Sequence, residues 1–107
     1  MKTVAYHKLV RDKIPEIIEK DGKQCVCSFL SEDDYLFMLD RKLDEELKEY
    51  QESKSMEELA DLLEVMRAVA LARGSSIEEV ERIRIHKAEK RGGFDKRILL
   101  ESVVVEE

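Results

Sequence analysis

The sequence predicts a mainly α-helical domain, with an antiparallel helix pair at its centre and a minor two-stranded β ribbon. Apolar residues recur at three- and four-residue spacing across two stretches, Leu36 to Tyr50 and Leu59 to Ala70, as one face of a helix requires. Each stretch follows a serine with acidic residues close behind, the pattern of a capped helix start. Only Ser53, Lys54 and Ser55 connect the two helices, and a connection that short makes them antiparallel neighbours.

The elements follow in order. Asp12 can cap a short helix that places Pro15 in its first turn, where the missing N–H costs nothing. It runs through Ile17 and Ile18 and stops at Gly22. Residues 24–30 are short, apolar and β-prone, a candidate strand. Ser31 opens a helix with Glu32, Asp33 and Asp34 on the positive end of its dipole, reaching about Glu52, with Leu36, Leu39, Leu43, Leu47 and Tyr50 as its stripe. Ser55, with Glu58 three residues on, forms a capping box for a helix from Met56 to Arg73. Leu59, Leu63, Met66 and Ala70 make its main stripe, which Leu62, Val65 and Val69 widen to nearly half the circumference; Val65 and Val69, with Glu58 and Asp61 at the head, also form a second apolar sector that another helix or a second subunit should cover. After Gly74, Ser76 opens a helix to about Arg91, with Val80, Ile83 and Ala88 facing inward, ended by Gly92-Gly93. The tail, residues 97–105, is β-prone again and can pair with residues 24–30.

With 107 residues and no repeat or linker, the chain reads as one domain with one core. Hydrophobic residues at 43% exclude wholesale disorder, and 41% charged residues fit long salt-bridged helix faces. A net charge of −6 argues against binding nucleic-acid polymers, which demand a basic face. An acidic site can still hold a polyphosphate when a divalent cation sits between. No apolar run has membrane-spanning length, so a cytoplasmic location and no membrane partner are expected. Cys25 and Cys27 have no matching Cys/His pair elsewhere and read as free thiols.

Two acidic pairs carry the chemistry. Glu46 and Glu49 lie near the end of one helix, Glu58 and Asp61 near the start of the next, each pair on one helix face. An antiparallel hairpin brings the pairs together. Like charges so close repel and raise each other's pKa, and a hard cation such as Mg²⁺ relieves the repulsion. On spacing alone Glu58 can also serve only the capping box, and Glu46 and Glu49 can pair with Lys42 or Lys48 or be solvated.

The segments Lys42-Leu43-Asp44-Glu45-Glu46-Leu47-Lys48-Glu49 and Glu57-Glu58-Leu59-Ala60-Asp61-Leu62-Leu63-Glu64 resemble the E-x-x-E … E-x-x-D pattern of the all-α NTP pyrophosphatase superfamily, which includes the MazG-like enzymes. Tyr6-His7-Lys8-Leu9-Val10-Arg11-Asp12-Lys13-Ile14-Pro15 and Lys87-Ala88-Glu89-Lys90-Arg91-Gly92-Gly93-Phe94 resemble the opening and closing segments of a phosphoribosyl-ATP pyrophosphohydrolase-like subgroup. The resemblance implies Glu46, Glu49, Glu58 and Asp61 as Mg²⁺ ligands. It implies hydrolysis between the α- and β-phosphates of a nucleotide, and a homodimer or homotetramer. The spacer of eight residues, Tyr50 to Glu57, is shorter than is usual there, which makes Glu45, Glu57 and Glu64 alternative ligands.

Catalysis of this kind is mostly positioning and charge stabilisation, so basic residues should line the site. Arg11 and Lys13 near the start, and Lys87 and Arg91 one helical turn apart near the end, are the substrate-binding candidates, with Lys8 and Lys90 beside them. Lys90 and Arg91 also complement a helix C-terminus. Two other readings stand beside the enzyme: a non-catalytic helical module that associates through the Val65 and Val69 face, and a nucleotide-binding module without hydrolysis.

Overall fold

The computed structural model describes residues 2–107. Four helices follow in order: α1 (Ile14–Lys20), α2 (Glu32–Ser53), α3 (Met56–Ala72) and α4 (Ile77–Arg91). The chain divides into two compact units, Met1–Ile77 and Glu78–Glu107, each described here by itself.

In the first unit, helix ends follow the local chemistry of the sequence. The N-cap of α1 is Lys13 rather than the expected Asp12, and no side chain caps it. Here the Ile14 N–H donates to the Arg11 carbonyl at 3.0 Å, and Pro15 in the first turn supplies the fixed φ. Gly22, at φ 82°, closes the helix, with its own N–H on Glu19 and that of Lys23 on Ile18. The α2 cap is Ser31, whose Oγ accepts from the Asp34 N–H at 3.3 Å. Lys54 ends α2 in the left-handed region, φ 58°, with its N–H on the Tyr50 carbonyl at 2.7 Å. Ser55 then caps α3 at once, accepting from the Glu58 N–H at 3.2 Å. A two-residue joint therefore folds α3 back along α2. Gly74, at φ 83°, ends α3 as the sequence leads one to expect, with the Ser75 N–H on Ala70 at 2.8 Å.

The two long helices pack antiparallel, and an ion pair between Asp40 and Arg73 at 3.2 Å ties the open end of the hairpin. Their seam differs from the expected one in register around each axis. On α2 the seam runs through Leu36, Leu39, Leu43, Glu46 and Tyr50, so Glu46 takes the place expected of Leu47, which is 40% exposed. On α3 the covered positions are Glu58, Asp61, Leu62, Val65 and Val69, the second sector rather than the main stripe. Leu59, Leu63 and Met66 face solvent, and of that stripe only Ala70 is buried. The expected partner of the Val65 and Val69 sector is thus α2 itself. No large side chain in the described chain is completely buried, and the buried apolar residues are Leu39, Val65 and Ala70.

In the second unit, α4 ends at Gly92, φ 82°, and a turn follows in which the Arg97 N–H reaches the Phe94 carbonyl at 3.1 Å. The expectation that Val80 and Ile83 face inward is not met: both are exposed, and only Ala88 is half-covered. Charged residues surround this helix, with Glu79–Arg82 and Glu81–Arg84 pairs along it, so no broad apolar stripe forms. Among the described residues there is no strand, and the expected ribbon does not form. Val26 and Phe29 in one segment, and Val104 in the other, are almost fully exposed. Two isolated strands without a sheet or helix to bury one face gain too little to hold together.

Candidate metal centre

The turn end of the hairpin gathers carboxylates. Glu45, Glu46 and Glu49 on α2 each offer an oxygen within 4.8 Å of the other two, and Glu46, Glu58 and Asp61 do the same across the two helices. Glu46 belongs to both groups. The structure therefore places the four carboxylates singled out in the sequence, with Glu45 added, in two groups joined at Glu46, Glu49 falling in one and Glu58 and Asp61 in the other. Glu57 and Glu64 lie outside these groups, exposed, and Glu64 pairs with Arg67 at 3.8 Å. Glu45 joins because a residue beside the seam, with its long side chain, still reaches the adjoining face.

Glu46 is the electrostatic centre of this cluster. It is only 7% exposed, on a seam position that apolar residues occupy elsewhere along α2. Burial and the neighbouring Glu49 push its carboxyl above the usual carboxylate range, against the pull of Lys42 at 3.4 Å. Its Oε2 and the Oε2 of Glu58 are buried with no hydrogen-bond partner. Unpaired buried oxygens are costly, on the order of 1–3 kcal/mol each and more when charged. The capping box does not use the Glu58 carboxylate: the Ser55 N–H that it would accept from donates to Ser53 Oγ at 3.2 Å. Glu58 thus caps through its backbone and keeps its side chain for the cluster.

Basic residues meet these acids from the N-terminal segment and from α2. Arg11 Nη2 lies 2.7 Å from Asp61 Oδ1, and Lys8 Nζ 3.3 Å from Glu45 Oε1. Lys42 reaches both Glu45 and Glu46 at 3.4 Å. Burial works against ionisation of Glu45, but Lys8 and Lys42 outweigh it and hold the carboxyl below its ordinary value. Lys13 is exposed at the start of α1, and Lys87 and Arg91 belong to α4 in the second unit. Among the sequence candidates, then, Arg11 and Lys8 stand at the carboxylates. Lys42 was legible only as a partner of Glu46, through its i, i+4 spacing.

The donor set consists of hard carboxylate oxygens with two buried oxygens lacking partners, a set that could hold a hard metal cation. The thiols sit elsewhere: Cys25 lies beside Pro15 and Glu19, 3.9 Å from Cys27, and both are free.

No family model matches the chain. No solved structure matches it either. A 42-residue stretch is 52% identical to an uncharacterized protein of Mycolicibacterium smegmatis, covering 39% of this chain and 43% of that protein. The chain thus matches less than half the length of this relative.

Proposed function

We propose that this protein is a Mg²⁺-dependent nucleotide pyrophosphohydrolase of the MazG-like, all-α type. Its substrate would be a (deoxy)nucleoside triphosphate or related nucleotide, cleaved between the α- and β-phosphates to monophosphate and pyrophosphate. The observation that carries the reading is Glu46, a carboxylate buried on a helix seam and shared by two groups of acids on neighbouring helices. A buried ion pair or acid cluster adds little stability as such, so this arrangement serves a ligand.

Glu46, Glu49, Glu58 and Asp61 would hold the cation, with Glu45 at the margin. Bound there, Mg²⁺ supplies charge neutralisation and polarises phosphoryl oxygens. The chain's own residues do the positioning. Arg11 and Lys8 already stand within 2.7 and 3.3 Å of the acids, on pairs exposed enough to be exchanged at small cost. With the acids committed to a cation, Arg11 and Lys8 would be free to turn from those oxygens toward phosphate. The Glu46 carboxyl, shielded from water, loses its excess affinity for a proton once a cation is beside it.

Self-association belongs to the same reading. Leu59, Leu63 and Met66 expose an apolar stripe at helical spacing along α3, and a second copy of the chain is the partner a small helical domain with so thin a core would take. The protein would act in the cytoplasm; no helix among the described residues is long and apolar enough to cross a membrane.

Pyrophosphate release from NTPs, dNTPs and phosphoribosyl-ATP, measured with Mg²⁺, tests the assignment. Release from at least one substrate, abolished by Glu58→Gln and by Asp61→Asn, is expected. No release from any of them contradicts it.

A further inference from the structure

A groove of about 340 Å³ lies between the N-terminal segment and α2, beside the carboxylate cluster and sharing Glu45 with it. The chain as a whole carries a charge of −6, yet this groove is basic. Lys8, Arg41, Lys42 and Lys48 line it against two acids, Asp44 and Glu45. Both acids are already engaged, Asp44 by Lys48 at 3.2 Å and Glu45 by Lys8 and Lys42. Arg41 makes no carboxylate pair among the described residues; its guanidinium sits 5.9 Å from the centre of the Phe37 ring.

We infer that the groove holds the terminal phosphates of a nucleoside triphosphate, the part released as pyrophosphate. The inference rests on the pyrophosphohydrolase reading and adds which side of the cation each half of the substrate takes. Three features favour phosphate over nucleobase. The cations recur along one stripe of α2, and from Arg41 to Lys48 they span about 10 Å of helix axis, a track rather than a point. The aromatic side chain at the groove, Tyr6, is 72% exposed and forms no enclosed slot for a base. The Lys48–Asp44 pair is more than half exposed on both sides and Lys8 is more than half exposed in its pair with the half-buried Glu45, so an incoming polyanion can exchange both lysines. Glu45 links the two sites physically: were Glu45 and Glu46 to hold a cation, Lys8 and Lys42 would be released to face the groove. Arg41 and Lys48 would therefore discriminate a triphosphate from nucleotides with a shorter phosphate chain.

The test is calorimetric titration of inorganic pyrophosphate into the full chain with Mg²⁺ present, comparing the parent protein with Arg41→Ala and Lys48→Ala. A nucleoside monophosphate is the second probe. Each substitution should weaken pyrophosphate binding about tenfold, the loss of one charge-assisted hydrogen bond, with monophosphate and Mg²⁺ binding unchanged. Arg41→Lys should recover part of the loss. Absence of pyrophosphate binding, unchanged affinity in both alanine variants, or weakened monophosphate binding instead, overturns the inference. The hydrolase reading fails separately, through absence of Mg²⁺-dependent turnover, and the pyrophosphate titration reports on the groove in that case too.

Discussion

A glutamate at a seam position is the residue on which the proposed chemistry turns. Leu36, Leu39 and Leu43 mark the line along which α2 buries itself, and the next residue on that line is Glu46. A leucine there would stabilise the hairpin, so the acid is retained at a stability cost. Its folded-state pKa is raised by burial and by Glu49, and the sign follows from linkage. Its contribution is fully favourable below the unfolded-state pKa, where it is protonated, and is lost as pH rises through the folded-state pKa. Glu46→Gln, which mimics the protonated form, should therefore raise the melting temperature at neutral pH without metal and remove the stabilisation that Mg²⁺ gives. A thermal melt with and without Mg²⁺ checks both halves. A melting temperature lowered by the substitution, or full retention of the Mg²⁺ effect, would count against the role assigned to Glu46. Glu45 has the opposite sign: its lowered pKa contributes stability above the unfolded-state value, lost as pH falls.

Helix boundaries were legible because capping chemistry is local. Ser31, Ser55, Gly22, Gly74 and Gly92 all act where the sequence places them, through hydrogen bonds within a few residues or left-handed backbone. Ser55→Ala should cost about 1 kcal/mol of stability, read by urea unfolding, with little change in metal affinity because the Glu58 carboxylate takes no part in the cap. Orientation about the helix axis was less legible. Both sectors of α3 are apolar, and counting leucines favours the stripe of Leu59, Leu63 and Met66. The structure instead covers the sector headed by Glu58 and Asp61, because the short joint at Lys54 and Ser55 fixes which side of α3 returns toward α2. That leaves the leucine stripe exposed, the surface that the proposed self-association would use. Leu63→Asp should shift sedimentation toward the monomer while leaving helicity intact; an unchanged sedimentation coefficient would place the interface elsewhere.

At the scale of the whole molecule, the expected ribbon failed for a reason no short window of sequence contains. Residues 24–30 and 97–105 have the composition of strands, but strand pairing depends on a surface to bury one face, and both segments are mostly exposed within their own units. The candidate centre was legible for the contrary reason: acids at i, i+3 spacing, flanking a short turn, meet by helix geometry in two groups that share Glu46. The basic groove was not legible, since it joins residues 6–9 to α2 across a distance in sequence that periodicity does not bridge. The central claim is that these acids bind a hard divalent cation. Crystals of the chain soaked in Mn²⁺, a stand-in for Mg²⁺ with a usable anomalous signal, test it most directly. The account predicts an anomalous peak ligated by Glu46 with Glu49, Glu58 or Asp61. Those carboxylates facing bulk water, with no peak among them at saturating Mn²⁺, would contradict it.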